Sequence, residues 1–154
     1  MGKYPITSED PTSIVACKLM DELSATLAAM TGDSGRSSFD PDDVRVPRAL
    51  FVLARNEEGQ AVGCGAFRPL QADIAEVKRM YSRPGSRRVG SAILAYLETE
   101  AAKMEYSVFW LETRLVNVRA VRFYARRSYS RIPNYGKYLG NPEAVCFEKR
   151  LRGL

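Results

Sequence analysis

The chain has 154 residues, of which 45% are hydrophobic and 27% charged, a composition typical of a soluble globular domain with its own core. No apolar stretch approaches the roughly 20 residues of a membrane span, and no apolar signal core follows Met1, so we expect a cytoplasmic protein with one domain over residues 1–154. The chain contains no histidine, which excludes serine–histidine and cysteine–histidine catalysis and most zinc chemistry.

The formal net charge of +5 is spread unevenly along the chain. Residues 1–43 hold eight acidic and three basic side chains, so the remainder carries a net charge of +10. The segment 113–142 contains seven Lys or Arg residues and no acid. Such a basic half predicts an anionic partner, either a nucleotide phosphate or a nucleic acid.

The three cysteines, Cys17, Cys64 and Cys146, are widely spaced and odd in number, and no C-x-x-C pair is present. This pattern indicates neither a disulfide framework nor a zinc site. Because each lies in an apolar run, we predict that all three are small core residues.

Hydrophobic periodicity and turn residues predict ten elements of secondary structure. In chain order these are a strand over 4–8, a helix over 12–30, strands over 49–55, 60–70 and 74–82, a helix over 89–103, a strand over 107–113, a helix over 118–127, and strands over 129–132 and 144–151. Residues 32–48 are rich in Gly, Ser, Asp and Pro and predict a loop. The mixture of early hairpins with one strand–helix–strand crossover predicts a mixed α+β sheet.

The segment 81–94 joins a strand to a helix and is short, basic and rich in small residues. Unpaired backbone N–H groups and the helix dipole make a helix N-terminus an anion site. Gly90 allows a close approach of the backbone to a ligand, and Arg83, Arg87 and Arg88 add positive charge. The segment matches neither the P-loop nor the G-x-G-x-x-G pattern, and a plain solvated helix start is the alternative.

Two segments resemble motifs of the GNAT superfamily of N-acetyltransferases. Residues 87–92 are similar to its phosphate loop, R/Q-x-x-G-x-G/A, at the start of the central helix. Residues 117–129 are similar to its N-x-x-A-x-x-F/L-Y-x-x-x-G-F/Y segment. Two positions depart from the family pattern, because Arg88 and Ser128 stand where glycine is usual. The order of strands and helices agrees with the family over nearly the whole chain.

The resemblance implies an α+β GNAT fold, with a central mixed, largely antiparallel sheet of six to seven strands flanked by about four helices. The sheet would be splayed between its fourth and fifth strands, where the pantetheine arm of acetyl-CoA lies as a pseudo-strand. Acetyl-CoA would be the co-substrate, with no metal. The residues that this resemblance places at the cofactor are Met80, Tyr81, Ser82, Arg87, Arg88, Val89, Gly90, Ser91, Ala92, Asn117 and Tyr124.

The resemblance also supplies two catalytic candidates. Strict alternation along the third long strand would put Ile74, Glu76, Lys78, Met80 and Ser82 on one face. On this face Glu76 matches a position where some family members have a glutamate that acts as the catalytic base, either directly or through water. A salt bridge from Glu76 to Lys78 or Arg79 is the alternative role. Tyr124 matches the tyrosine that protonates the leaving thiolate, although a tyrosine packed against the sheet would give the same pattern.

The acceptor amine is expected between two loops, 32–47 and 133–142, and the candidate contacts are Ser38, Phe39, Glu76 and Tyr135. Four acids within 33–43 suit a cationic acceptor such as a polyamine, an aminoglycoside or a peptide N-terminus. Alternatively, those acids are solvated loop charges. The expected partners are acetyl-CoA and a primary amine, with no nucleic acid and no membrane, and a homodimer is common in the family.

Two other functions are compatible with the same residues. A non-catalytic acyl-CoA-binding module would explain the irregular phosphate loop, and it would bind acetyl-CoA without releasing CoA to amines. A nucleic-acid-binding domain would explain the basic half, but the chain has no recognised nucleic-acid motif and no aromatics interleaved with the basic loop.

Overall fold

The computed structural model describes residues 4–151 and contains all ten predicted elements, each ending within two residues of its expected bounds. The strands are β1 (Ile6–Ser8), β2 (Leu50–Arg55), β3 (Ala61–Gln71), β4 (Ile74–Ser82), β5 (Val108–Arg114), β6 (Ser130–Ile132) and β7 (Ala144–Arg150). The helices are α1 (Ile14–Thr31), α2 (Val89–Lys103) and α3 (Val118–Arg126). Three short 3₁₀ turns, Arg36–Ser38, Pro41–Val44 and Gly136–Tyr138, accompany these three α-helices, where about four helices were expected.

The strands form one seven-stranded sheet in the order β1-β2-β3-β4-β5-β7-β6. All neighbouring pairs are antiparallel except β4 and β5, which are parallel because α2 carries the chain back across the sheet between them. The main core lies between the sheet and the helices α2 and α3, and a second core packs α1 on the opposite face. The mixed, largely antiparallel sheet predicted from the sequence is therefore confirmed.

β4 and β5 pair only at their beginnings, where Ile74–Glu76 lie beside Val108–Trp110. Beyond that point β4 and β5 have no ladder between them, so the sheet opens into a gap. The register of β3 on β4 shifts between Cys64 and Ala66, and Arg79 has a positive φ of 55°. Such a bulge bends its strand and increases its twist, which turns β4 away from β5. The expected splay is confirmed.

The cysteines divide between core and surface. Cys64 and Cys146 are buried, as predicted, but Cys17 is exposed on α1. The prediction for Cys17 was wrong because α1 buries the face that carries Ala16, Leu19 and Leu23. Cys17 follows Ala16 directly, and one residue along an α-helix is a rotation of about 100°, so its side chain points away from that face. None of the helices within residues 4–151 combines the length and the apolarity needed to cross a membrane.

Candidate functional site

The gap between β4 and β5 widens into a cleft with a volume of about 210 Å³. It passes through the sheet, since α1 and the loop after it line one end and α3 lines the other. The last part of β5 and the 136–138 turn complete its walls. The charged side chains that line the cleft are Asp33, Lys78, Arg79, Glu112, Arg114 and Lys137.

The bulge at Arg79 changes which side chains of β4 share a face. Met80 packs into the core below α2, and a Cβ built on Gly65 would lie 2.7 Å from its sulfur. Ser82 also turns towards α2, with its Oγ 4.0 Å from a Cβ built on Gly90. Arg79 points to α1 instead, where its Nη2 donates to Ser24 Oγ at 2.6 Å. The prediction that Met80 and Ser82 share the face of Glu76 was wrong, because the extra residue of the bulge reverses the alternation.

Glu76 is almost completely buried, with 2% of its surface exposed. Nε and Nη2 of Arg68 donate to its Oε1 at 3.0 and 2.9 Å, and the hydroxyl of Tyr135 donates to its Oε2 at 2.6 Å. Lys78 Nζ is 3.7 Å from Oε2, and Asp43 pairs with the far side of Arg68. The side chain of Glu76 does not line the cleft. Its carboxylate therefore belongs to a buried ion-pair network.

Sequence reasoning named Lys78 and Arg79 as partners of Glu76 and missed Arg68. The signal was the hairpin joining β3 to β4, whose register places Arg68 directly opposite Glu76. Residues facing each other across two antiparallel strands have Cβ atoms about 5 Å apart. Locating the 71–74 turn would have been enough to pair them.

Glu112 is a cleft residue that sequence reasoning missed. Its side chain is 12% exposed, and its Oε2 is buried without a hydrogen-bond donor among residues 4–151. Arg114 Nη1 is 3.1 Å away but is not aligned for a hydrogen bond. Burial raises the pKa of the Glu112 carboxyl above its usual 4.5, while Arg114, Lys78 and Lys137 act in the opposite direction. A desolvated, incompletely paired carboxylate facing a cleft has the character of a catalytic base.

Tyr124 lies on the α3 side of the same cleft. Its ring packs against Phe123, Tyr129 and Phe147, and 7% of its surface is exposed. Burial raises the pKa of its phenol well above the usual 10, so the hydroxyl is protonated at neutral pH. Asn117 also lines the cleft, and its side chain accepts from Ala120 N at 3.1 Å, which confirms the predicted helix cap.

The candidate phosphate loop presents the first turn of α2 to solvent. The backbone N–H groups of Val89, Gly90 and Ser91 have no acceptor in the part of the chain that the structure describes. Arg87 and Arg88 are exposed, whereas Arg83 is held to α1 by hydrogen bonds to Glu22 at 3.0 and 2.8 Å. The loop can therefore offer three amides and two free guanidinium groups to an anion.

Two residues of this loop have structural explanations. Gly90 approaches α3 closely, since a Cβ built on it would lie 3.3 Å from the ring of Phe123. Arg88, the N-cap of α2, adopts a left-handed conformation with φ 66° and makes no side-chain cap. Glycine takes this conformation without strain, which explains why glycine is usual at the position that Arg88 occupies.

We expect Arg88→Gly to raise the free energy of unfolding by about 1 kcal/mol, because the left-handed backbone strains a residue with a Cβ. If acetyl-CoA is the co-substrate, as the family resemblance implies, the same change should raise its KM by roughly threefold to tenfold, since a charge beside the expected phosphate site is lost. Urea unfolding and steady-state kinetics measure the two effects. Arg88→Ala is the matched control, because it should raise KM equally without stabilising the fold. Equal stabilisation by Ala would show that backbone strain is not the cause.

The acceptor candidates are distributed differently from the expectation. Ser38 lines the cleft, but Phe39 packs on the core beneath α1, and Tyr135 packs against Trp110 in a tilted arrangement with 4.8 Å between ring centroids. Of the four expected acceptor contacts, the structure brings only Ser38 to the cleft wall. Tyr138 also lines the cleft, and its hydroxyl accepts from Lys78 Nζ at 2.8 Å.

Three of the four acids of the 33–43 loop form ion pairs with arginines of the fold, and the fourth caps a turn. Asp40 caps the 41–44 turn by accepting from Asp42 N at 2.9 Å. Asp42 pairs with Arg45 at 2.7 Å, and Asp43 pairs with Arg68. Asp33, the one that lines the cleft, is 3.7 Å from Arg114. The loop therefore presents little uncompensated negative charge to a cationic acceptor.

The mixed sheet that opens between the parallel strands β4 and β5, together with the unpaired amides at the start of α2, is the arrangement that the family resemblance implied. The family model of the acetyltransferase (GNAT) family matches residues 17–129. The chain belongs to this family.

Three relatives illustrate the similarity. A Klebsiella pneumoniae protein assigned as an acyl-CoA N-acyltransferase superposes with a TM-score of 0.82 at 28% identity, covering 97% of this chain and 98% of its own. An uncharacterized N-acetyltransferase of Schizosaccharomyces pombe is 35% identical over 81 residues, 51% of this chain and 50% of that protein. The match thus spans about half the length of this curated relative. An aminoglycoside 6'-N-acetyltransferase in complex with coenzyme A has a TM-score of 0.64 at 17% identity, covering 96% and 97% of the two chains, and shows the shared fold alone.

Proposed function

We propose that the protein is an acetyl-CoA-dependent N-acetyltransferase in which a primary amine attacks the thioester directly, with Glu112 as general base and Tyr124 as general acid. The observation that carries this proposal is the partly buried carboxylate of Glu112, whose Oε2 has no hydrogen-bond donor among residues 4–151, in a cleft that Tyr124 also lines. Glu76, the base expected from the sequence, is saturated by Arg68 and Tyr135 outside the cleft. Glu76 instead positions Tyr135.

The cofactor lies along the gap in this proposal. Its phosphates contact the free amides of Val89, Gly90 and Ser91, supported by Arg87 and Arg88. Its pantetheine arm runs beside the part of β4 that β5 leaves unpaired, past Met80 and Asn117, which both line the cleft. Backbone N–H groups of β4 in this gap are donors for the thioester oxygen as it becomes an oxyanion. Acetyl-CoA supplies the acetyl group as a thioester.

In the proposed site the acetyl group passes directly from the sulfur of CoA to the nitrogen of the acceptor. Glu112 takes a proton from the ammonium group of the acceptor, and the freed nitrogen lone pair forms a bond to the acetyl carbon. The tetrahedral centre collapses, the carbon–sulfur bond breaks, and the departing thiolate takes the proton of Tyr124. The acetylated nitrogen gives its second proton through water to the Tyr124 phenolate, and Glu112 releases the first proton to solvent, so the products are an N-acetyl amine, CoA and one proton.

Release of the CoA thiol in the presence of acetyl-CoA tests this function. The assay uses a panel of amino acids, simple amines, polyamines, aminoglycosides and peptides, with no amine added as the background. We expect amine-dependent thiol release and a mass gain of one acetyl group in the acceptor. Acetyl-CoA binding without thiol release for any amine would instead favour a non-catalytic acyl-CoA-binding module.

Tyr124→Phe should lower kcat by about a hundredfold, at the low end for a general acid because a thiolate is already a fair leaving group. The KM for acetyl-CoA should change little, since the phenyl ring still fills the same space. Tyr96→Phe, which removes a hydroxyl outside the cleft, is the matched control and should retain full activity. Equal kcat in Tyr124→Phe and the wild-type protein would remove Tyr124 from this role.

A further inference from the structure

The charge of the cleft is positive overall. Four cationic side chains line it against two carboxylates, Asp33 and Glu112. Two of the cations are held by the fold, because Lys78 donates to Tyr138 at 2.8 Å and Arg79 donates to Ser24 at 2.6 Å. Arg79 also keeps a buried Nε without an acceptor among residues 4–151, but the bond to Ser24 turns its guanidinium towards α1. Arg114 and Lys137 are the cleft cations that no such bond to the fold holds.

Arg114 has an unused buried donor. Its side chain is 22% exposed, and its Nη1 is buried without a hydrogen-bond acceptor among the residues that the structure describes. Glu112 Oε2 lies 3.1 Å from Nη1 but is not aligned for a hydrogen bond, and Asp33 Oδ2 lies 3.7 Å from Nη2. A guanidinium is always charged at neutral pH, and a buried N–H without an acceptor is costly. An oxygen ligand entering the cleft would satisfy it.

Lys137 stands beside this site. It is exposed, it forms no salt bridge within residues 4–151, and its Nζ is 6.0 Å from the centre of the Tyr138 ring. Its charge, like that of Arg114, acts on the carboxyl of Glu112. Arg114, Lys137 and Glu112 all line the same cleft.

The position of Arg114 separates it from the phosphate loop. On β5, alternation places Arg114 on the face of Trp110 and Glu112, where Trp110 packs on Tyr135 at the acceptor side. The phosphate loop lies at the start of α2, and the helices α2 and α3 pack on the other face of the sheet. An anion bound by Arg114 therefore belongs to the acceptor rather than to the cofactor phosphates.

We infer that the acceptor is an α-amino acid, whose ammonium group faces Glu112 and whose carboxylate is bound by Arg114 and Lys137. This inference rests on the proposed function, because it takes Glu112 as the base. The facing atoms of Glu112 and Arg114 are only 3.1 Å apart, so the two charges that they bind must be close together in the ligand. A carboxylate and an ammonium group on the same carbon meet that requirement. A polyamine or an aminoglycoside offers ammonium groups alone and would meet repulsion from Arg114 and Lys137.

The test compares three matched acceptors: an amino acid, its carboxamide and the amine obtained by decarboxylation, with several side chains and with acetyl-CoA saturating. We expect kcat/KM for the amino acid to exceed that for either analogue by about 10- to 100-fold, as expected for a charge-assisted hydrogen bond. Arg114→Gln should reduce this ratio to near one, mainly by raising the KM for the amino acid. Lys137→Gln should reduce it partly, and Arg114→Lys should restore part of it.

Arg131→Gln is the charge-matched control, since Arg131 is exposed on the edge strand β6, outside the cleft, and should keep the full ratio. Thermal unfolding of each variant verifies folding, and the exposed Lys137 supplies a test that does not depend on the fold tolerating a change at Arg114.

Amides or simple amines that react as well as amino acids would overturn the inference and leave the proposed function standing. A rise in the KM for acetyl-CoA in Arg114→Gln would assign Arg114 to the cofactor and also overturn it. Preference for a peptide with an acidic first residue over every free amino acid would also overturn the inference. Failure of every amine to react would reject the proposed function itself.

Discussion

Replacing Glu112 with Gln is expected to lower kcat/KM at neutral pH by about 10²- to 10³-fold, the usual contribution of a general base. Gln keeps the shape of the side chain but cannot accept the proton of the acceptor ammonium. Because burial raises the pKa of Glu112, the carboxylate that acts as base is lost as the pH falls through a value above 4.5. The wild-type activity should therefore decline on the acid side, and Glu112→Gln should lack that decline. The measurement is kcat/KM against pH for both proteins.

Glu76→Gln is the matched control for this experiment, since it makes the same chemical change at the other buried glutamate. Its residual activity, measured on the folded fraction, should stay well above that of Glu112→Gln and should keep the acid-side decline. The opposite ranking, with the decline lost only in Glu76→Gln, would return the role of base to Glu76. Acetyl-CoA binding should persist in both variants, which separates loss of chemistry from loss of the site.

Replacing Glu76 with Ala is expected to lower the free energy of unfolding by about 3 kcal/mol. The change leaves the guanidinium of Arg68 without its main partner and removes the acceptor of the Tyr135 hydroxyl at 2.6 Å. Removal of one member of a buried ion pair is strongly destabilising because the remaining charge stays desolvated. Asp43 still pairs with Arg68, which keeps the expected loss at the low end of the usual range. Urea unfolding at pH 7 measures the difference.

Asp42→Ala provides the comparison for this stability change. Asp42 pairs with Arg45 at 2.7 Å, but 77% of its side chain is exposed, so its loss should change stability by less than about 1 kcal/mol. A similar small loss in Glu76→Ala would mean that the Glu76 network contributes no more than a surface pair. Arg68→Met with Glu76→Leu should recover part of the loss, because both charges are then removed together.

Local sequence patterns were sufficient to predict the strands and helices of this fold. The bounds of β4 and α2 agree residue by residue with those predicted, because alternation and helical spacing depend on near neighbours in the chain. The cap at Asn117 was predicted for the same reason. Composition alone excludes histidine chemistry, and the two spaced motifs indicate the family to which the chain belongs.

The candidate site depended on contacts between distant parts of the chain. The family resemblance implied that the sheet splays beyond β4, but no residue of the sequence marked the bulge at Arg79, since its left-handed backbone occurs at an arginine rather than at a glycine. The bulge reversed the faces of Met80 and Ser82. The register of the β3–β4 hairpin places Arg68 opposite Glu76, and the two side chains form an ion pair. These two features removed Glu76 from the cleft.

The sequence by itself determined the secondary structure, the order of its elements and the family, because hydrophobic spacing and short motifs are local properties. Only the tertiary structure decided which carboxylate lines the cleft. Glu76 and Glu112 each sit in an apolar strand and look alike in the sequence. Cross-strand packing gives Glu76 a complete set of donors, while the opening between β4 and β5 leaves Oε2 of Glu112 buried, desolvated and without a hydrogen-bond donor among residues 4–151.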